Sequence, residues 1–572
     1  MPTRGGQRSA AIADRYNLLP MNSPRLAFTS PVSASRKFLL VLGFCVTAIL
    51  GYWLAETAAP RPQRSTQKPG VEIFPKRTAI IDESFPGFRK GQRPPSAYSS
   101  DEDAKHAGAL PSQRVIVFKD QTALENFLKR AGTKVLLMGR LDALNALRIG
   151  FFNSADLAAL LDGGEESSFI FPVDVPPPGD GAVQEGAVAL GAGLLEWLGI
   201  QGDHSTWGSG VKIAILDTGV APHPAFSSAI SSQNLVALAS DPAVLNGHGT
   251  AVASVIIGRD PLTPGVAPGA DIVSIRIAND LGQSDSFLLA QGIVAAVDVG
   301  ADLINISMGS FGDSVLVRNA IEYARAAGTL IIAASGNNGR DRVTYPAANP
   351  GVIAVGSVDA LGNHLDFSNT GSQLAISAPG LGVNTAWVNN ESASVSGTSF
   401  SSPIVTGSIA ALMSHPGANR LTATQAWAQL SKHLNDGGPA GADAAIGAGM
   451  PDLGRALRAS TPGFYDAALA SQRILPPSPG FPNGQLEVLV QNRGTERLIN
   501  TAVQISSPLG TVTSNITTLE VNAVKALRIP MPQQTASPMR YDSKVILSGG
   551  TRDAKPSNDR RVELYAPADA PQ

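Results

Sequence analysis

KIAILDTGV, residues 212–220, decides the fold. Its apolar run, Ile213 to Leu216, is short and uninterrupted, which fits a strand covered on both faces rather than one with a wet side. Asp217 closes the run, and Thr218 and Gly219 turn the chain directly after it. DIVSIRI, LINISMG, GTLIIAAS and GVIAVGSV repeat this grammar downstream, and their Val, Ile and Ala content is that of buried strands. AVASVIIG, SFLLAQGIVAAVDVG and VLVRNAIEYARAAG lie between them with helical spacing. The alternation predicts a three-layer α/β domain over residues 190–458. Its sheet should be mainly parallel, with functional side chains gathered at the carboxyl ends of the strands.

Outward from this core the pattern changes on both sides. Upstream, RVIVFK alternates like a strand, TALENFLKRAG reads as a helix ended by glycine, and KVLLMG and ALRIGFF supply two more strands. SADLAALLDGG is a second helix and SSFIFPV a last strand. The order β-α-β-β-α-β predicts a small α+β domain at 111–175. The run Pro176, Pro177, Pro178, Gly179 then breaks regular structure and opens a linker over 176–189. Downstream, a linker at 459–484 leads to QLEVLVQN, TAVQISSP, AVKALRIPMP, DSKVILSG and RRVELYAP, read as a β-sandwich at 485–568. The chain as a whole is therefore expected to be multidomain.

The N-terminal region concerns a membrane. Residues 38–55, FLLVLGFCVTAILGYWLA, carry no charge and are just long enough to cross a bilayer core. The basic segment 1–37 before them holds Arg4, Arg8, Arg15, Arg25, Arg36 and Lys37 against Asp14 alone. That asymmetry keeps the N-terminus cytoplasmic and places the rest outside, as a single-pass membrane protein with an extracytoplasmic catalytic domain. Small residues in AETAAP leave the alternative of a cleaved signal peptide and secretion. Residues 56–110, rich in proline and charge, read as a spacer.

Composition excludes several classes. Among 572 residues, 44 Lys+Arg stand against 46 Asp+Glu, a net charge of -2 that argues against a nucleic-acid partner. One cysteine rules out an intrachain disulfide, a zinc finger or a thiolate-held iron–sulfur cluster. GSG and VAPGA do not supply the Gly-x-Gly-x-x-Gly of a dinucleotide site.

Three polar residues stand at glycine-flanked element ends: Asp217 after its strand, His248 in NGHGTAVASVII, and Ser399 in SGTSFSSPIVTGSIAALM. Each alone reads as a cap, a turn residue or an ordinary buried group. Together they supply a nucleophile, a base that takes its proton, and a carboxylate that fixes the tautomer of that base. His223, in APHP, and His364, in LGNHLD, lie in turns and do not fit that set.

The segments DTG, HGT and GTSFSSP, in the order Asp…His…Ser, resemble the signature blocks of the subtilisin-like (subtilase) serine peptidase family. The resemblance implies a serine endopeptidase working through an acyl-enzyme, with Asp217, His248 and Ser399 as the catalytic set. SGNNG is similar to the family's oxyanion segment, which implies Asn337 as the amide donor. It further implies two rails for an extended polypeptide substrate, Gly282-Gln283-Ser284 and Ser307-Met308-Gly309, and a primary pocket walled by Ser335 and Gly336 with Thr344 near its floor. The first rail lacks the family's second glycine, which should narrow the pocket three residues upstream of the primary one. Thr344 stands where a smaller residue is familiar, so large aromatic side chains should fit the primary pocket poorly. HGTAVAS departs from the usual HGTHVAG without touching the chemical groups. No cofactor is implied, and the loop IIGRDPLTPG is too poor in oxygen ligands for calcium to be assigned.

By the same comparison, residues 111–175 resemble a prodomain, which would make the chain a zymogen with its own prodomain as an intramolecular inhibitor. The C-terminal sandwich resembles bacterial adhesion modules, implying a glycan or protein ligand. The alternative function is an anchored adhesion or binding protein whose peptidase domain acts mainly in self-processing.

Overall fold

The computed structural model describes residues 101–565, apart from 107, 162, 178, 180–183, 227–229, 237–245, 416–419 and 533–537. The expected membrane segment at 38–55 and the spacer before residue 101 lie outside them. Among the described residues no helix is long and apolar enough to cross a membrane.

At the centre is a seven-stranded parallel sheet in the order Leu374–Pro379, Val352–Val358, Leu330–Ala334, Leu303–Ile306, Lys212–Asp217, Asp271–Arg276, Ser231–Asn234. The middle strands are buried along their length, because each of their faces meets a helical layer. One layer contains His248–Ile257 and Thr398–Ser414, whose residues pack with Ile213, Ile215 and Ile332. The opposite layer contains Ser286–Asp298 and Val315–Ala326, packed with Ala214, Leu216 and Ile304. Alternate residues of one strand thus feed two cores, as the period of a strand requires. This is the α/β core that the strand grammar implies.

The α+β unit has an antiparallel sheet in the order Val135–Leu141, Ala146–Phe151, Gln113–Val117, Glu166–Ser168. SSFIFPV does not form one strand. Its first part pairs with Gln113–Val117, whereas Pro172–Asp174 leaves the sheet and pairs antiparallel with Gln283–Asp285 of the α/β domain. Ile116 and Leu147 face the unit's own helices with Phe127 and Leu157. Val115, Val117 and Ala146 join the cluster of Phe287, Leu316 and Val317, so the sheet's second face is covered by the α/β domain. Arg148 adds an ion pair to Asp285 at 2.7 Å, with both side chains largely buried.

The C-terminal region is a sandwich of three strands, Ala467–Leu475, Gln485–Asn492 and Val524–Pro530, against four, Gly510–Leu519, Leu498–Ser507, Met539–Ile546 and Arg560–Tyr565. Ala467–Leu475 falls in the stretch read as a linker; its alternating apolar residues Ala467 and Leu469 enter the sandwich core. Buried polar contacts tie the sandwich to the α/β domain. Gln491 donates to Leu434 O at 3.0 Å and accepts from Asp436 N at 3.0 Å. Arg455 donates to Leu434 O at 2.8 Å and to Asn492 O at 3.3 Å. Burial pushes the Arg455 guanidinium down to about 10, and it remains the cation.

Candidate active site

The strand Lys212–Asp217 ends with Asp217 fully buried at 0% exposure, where one carboxylate oxygen already accepts from Thr218 N at 2.7 Å. That bond and the Thr218 hydroxyl, 3.2 Å from the same oxygen, supply hydrogen bonds of the kind a buried carboxyl group needs. His248 begins the helix His248–Ile257, so its ring leaves the helix's first turn toward the strand end. Its Nδ1 lies 2.9 and 3.0 Å from the two oxygens of Asp217. This contact fixes the Nδ1–H tautomer and leaves Nε2 as the basic nitrogen. Gly249 allows the approach: a Cβ there would stand 2.3 Å from Gly219 O. The Phe400 ring, 5.5 Å away and tilted by 52°, covers the imidazole from the side.

Ser399 occupies the first turn of the helix Thr398–Ser414 and is 2% exposed. Pro403 lies four residues on and has no N–H, so the helical bond that the Ser399 carbonyl would normally accept is missing. Ser307 Oγ donates to that carbonyl at 2.8 Å instead. Asn305 extends the link: its amide donates to Ser307 Oγ at 3.0 Å, and its carbonyl oxygen accepts from Ser402 and Thr406 at 2.9 Å each. Sequence reading missed Asn305. The signal available was an amide in the middle of the apolar strand Leu303–Ile306, where an unpaired polar group would be costly.

Asn337 lies just past Leu330–Ala334 and is 8% exposed. Its Oδ1 accepts from Thr398 N at 2.9 Å and Thr398 Oγ1 at 2.7 Å, which leaves Nδ2 pointing into the cleft. Gly397 has φ 145°, and a Cβ on it would meet Nδ2 at 2.6 Å, so glycine is needed immediately before this pair. Thr398 is the second residue that the sequence reading passed over.

Asp217, His248, Ser399 and Asn337 thus converge at the carboxyl end of one sheet. One expected contact is not closed. Ser399 Oγ makes no hydrogen bond to His248 and instead donates to Ser307 O at 3.1 Å. Residues 172–175 of the chain itself lie against both of the stretches expected to act as rails. Gln283 and Ser284 pair with Asp174 and Val173, Gly282 O accepts from Val175 N at 2.9 Å, and Gly309 exchanges two backbone bonds with Asp174. Ser307 and Met308 are buried. Where the segment lies on the rails, desolvation raises the Asp174 carboxyl above its usual range. Ser335, Gly336 and Thr344 form a compact buried group: Thr344 N donates to Ser335 O at 3.0 Å, and Thr344 atoms stand within 2.9 Å of the place a Cβ would take on Gly309 or Gly336. His223 bonds to Glu391 O at 3.0 Å, away from this centre. Among the described residues no group of three or more His, Cys, Asp or Glu side chains is arranged to hold a metal ion.

The chemistry such a cluster supports is nucleophilic attack by a buried hydroxyl, with a fixed base beside it and an amide donor facing the carbonyl oxygen under attack. The model of the subtilase family matches residues 208–449. A thermostable alkaline protease of Halalkalibacterium halodurans is 36% identical over 257 residues, which are 44% of this chain and 69% of that protein. Subtilisin DY of Bacillus licheniformis is 35% identical over 213 residues, covering 36% of this chain and 78% of its own. A solved structure of the protease domain of PatA is 34% identical, spans 45% of this chain and 95% of its own, and has a TM-score of 0.39. The chain belongs to the subtilase family and is a serine endopeptidase.

Proposed function

We propose that this endopeptidase acts outside the cytoplasm and cuts polypeptides through an acyl-enzyme formed on Ser399. The observation that carries the residue roles is the His248–Asp217 contact, 2.9 Å at the end of a buried strand, facing the same cleft as Ser399 and Asn337. A turn of the Ser399 side chain from Ser307 O toward His248 Nε2 would start the reaction. Ser399 Oγ attacks the carbonyl carbon as its proton passes to Nε2, and Asp217 stabilises the imidazolium that results. The Asn337 amide meets the oxyanion, joined by the backbone N–H of Ser399. His248 then returns the proton to the departing nitrogen, and water releases the acyl group by the same route. Subtilases perform this chemistry without a cofactor.

The placement outside the cytoplasm is supported by the uncharged run 38–55 behind a basic segment. The prodomain role of 111–175 is supported by its seat on the α/β domain and by the chain that leaves it for the rails. That same segment favours a second reading, in which the peptidase serves mainly to process its own chain while the sandwich binds a glycan or protein ligand. Turnover of an unrelated polypeptide separates the two.

Ser399→Ala should fold as the wild type and lose peptide hydrolysis by at least ~1000-fold, since it removes the proposed nucleophile. Equal activity in both proteins, each prepared free of other proteases, would remove Ser399 from the reaction.

A further inference from the structure

The chain fills its own cleft, and it does so with proline at the reacting position. Pro172–Asp174 lies antiparallel on Gln283–Asp285, and Asp174 exchanges backbone bonds of 3.1 and 3.0 Å with Gly309. Val175 N–H donates to Gly282 O at 2.9 Å. Farther along, the Pro177 carbonyl accepts from Asn337 Nδ2 at 2.9 Å, and Gly179 N–H donates to Ser396 O at 3.0 Å. A segment gripped on both sides of Ser399 is laid out as a substrate, with the Pro177 oxygen where the oxyanion would form. The bond after that carbonyl is Pro177–Pro178. Pro178 itself lies outside the described residues.

We infer that Pro176, Pro177 and Pro178 make this segment an inhibitor that its own active site does not cut. The inference rests on the peptidase reading proposed above and adds the reason for the segment's survival. The first cause is the missing N–H groups. Pro176 and Pro177 have no backbone proton to give to the rail carbonyl of Ser307. That carbonyl accepts a hydrogen bond from the Ser399 hydroxyl instead, at 3.1 Å, so the nucleophile is held by the rail and not by His248.

The second cause is the leaving group. Cleavage would join Ser399 Oγ to the Pro177 carbonyl carbon, move the serine proton to His248, and break the C–N bond as His248 passes that proton to the Pro178 nitrogen. Water would then free the Pro177 carboxylate and restore Ser399. A proline nitrogen is a ring atom carrying three carbons, and the ring restricts how such a leaving group turns its emerging lone pair toward a base.

Binding is favoured by the same residues. Proline holds φ fixed and pushes the residue before it to extended backbone, so 175–177 enter the rails already in shape and lose little entropy there. The segment is a good occupant and a poor substrate. Opening the cleft therefore requires displacement of the segment, together with the α+β unit that carries it.

The test uses the full chain, purified and dilute, with mass spectrometry of its termini and labelling of Ser399 by a small phosphonylating probe. Pro177→Ala/Pro178→Ala should expose a new terminus at residue 178 at least ~100-fold faster than wild type, the share of rate that proton delivery to the leaving group supplies. Adding Ser399→Ala should abolish that terminus. Pro178→Ala alone, the milder change, should also cut faster than wild type. Ser399 in the uncut wild type should label slowly, and in the cut variant quickly once the released N-terminal piece has been removed. Wild type cut at 177–178 as fast as the double variant would overturn the inference. So would a double variant that stays uncut while its Ser399 labels readily, and that result leaves the peptidase reading standing. No labelling and no cutting in any chain would remove the peptidase roles, and the inference with them.

Discussion

Thr398 stands beside the proposed nucleophile, yet its hydroxyl serves the proposed oxyanion donor. Oγ1 donates to Asn337 Oδ1 at 2.7 Å and accepts from Gly336 N at 3.2 Å. Thr398→Val keeps the shape and the backbone bond to Oδ1 at 2.9 Å, and deletes both hydroxyl contacts. The residue is fully buried, so Gly336 N–H would be left unpaired, costing about 1–3 kcal/mol of stability beyond the ~1 kcal/mol of the lost bond. The catalytic effect is separable. Removing the donor itself, by Asn337→Ala, should cost about 3 kcal/mol in the transition state, seen in kcat with KM little changed. Thr398→Val only loosens the amide about its side-chain torsion. Its expected loss is about tenfold in kcat, or ~1.4 kcal/mol. Because the hydroxyl has nothing to orient once the amide is gone, the double variant should match Asn337→Ala alone. Steady-state hydrolysis of a chromogenic peptide by each variant, with the cleft segment cleared, measures all three, and Thr398→Ser should restore the rate. A double variant whose losses simply add would refute the idea that Thr398 works through Asn337.

Thr344→Gly should open the pocket floor between Gly309 and Gly336 and raise kcat/KM for a phenylalanine over an alanine on the acyl side of the cut bond by about 10–100-fold; an unchanged ratio in peptide-library cleavage would take Thr344 out of the pocket. A chain ending at residue 458 should retain the site but lose stability. It would uncover the buried Arg455 guanidinium and strip the Gln491 bonds from Leu434 and Asp436, and thermal unfolding should show a Tm lower by roughly 5 °C or more. In the sandwich, burial first, with Asp553 and Asp466 nearby, raises the Asp559 carboxyl to about 7. A group whose folded pKa lies above its unfolded value of about 4 binds more protons when folded, so stability falls as pH rises from about 4 to 7. After discounting for its partial exposure this amounts to about 1 kcal/mol, and Asp559→Asn should flatten that slope in denaturant titrations.

Much of this was legible in short-range pattern. Short apolar runs such as Ile213 to Leu216 fit strands covered on both faces, and they form the central sheet. Asp217, His248 and Ser399 each sit where an element ends beside glycine; Asp217 meets His248 directly, and the residue after Ser399, Phe400, packs its ring near the imidazole. What escaped was long-range or polar. Asn337 reaches Pro177 across a separation of 160 residues, which no local period encodes. The edge strand Ser231–Asn234 has no apolar residue, since its pairing is parallel backbone bonding to Asp271–Arg276 and its side chains are largely solvated. Gly510–Leu519, rich in threonine and mostly exposed, gives too few inward residues to mark it as a strand, although Ile516 and Leu519 reach the core. SSFIFPV failed as one strand because its two ends serve different sheets, with Pro172 at the point where the second begins.

The small α+β unit shows how a sequence pattern can state a need for a partner. In RVIVFK, Val115 and Val117 alternate with Ile116 and Phe118, so both faces of that strand are apolar. A sheet with one solvated face would place polar residues at every second position. Here one set packs under the unit's own helices, and the other joins Phe287, Leu316 and Val317 of the α/β domain. Burying a side chain of this size contributes about 1.5–3 kcal/mol, and several are exposed together if the unit leaves. An independent spacer would have no use for such a face. The unit is therefore held in place by apolar area and by Arg148 on Asp285, while the proline segment that follows it is held by the rails. Either grip alone would leave the other end free to fluctuate, but the two are joined by a short chain, so each raises the local concentration of the other. A single cut in the linker after the prolines would consequently leave the cleft occupied, and activity should appear only when the α+β unit is itself removed or destroyed.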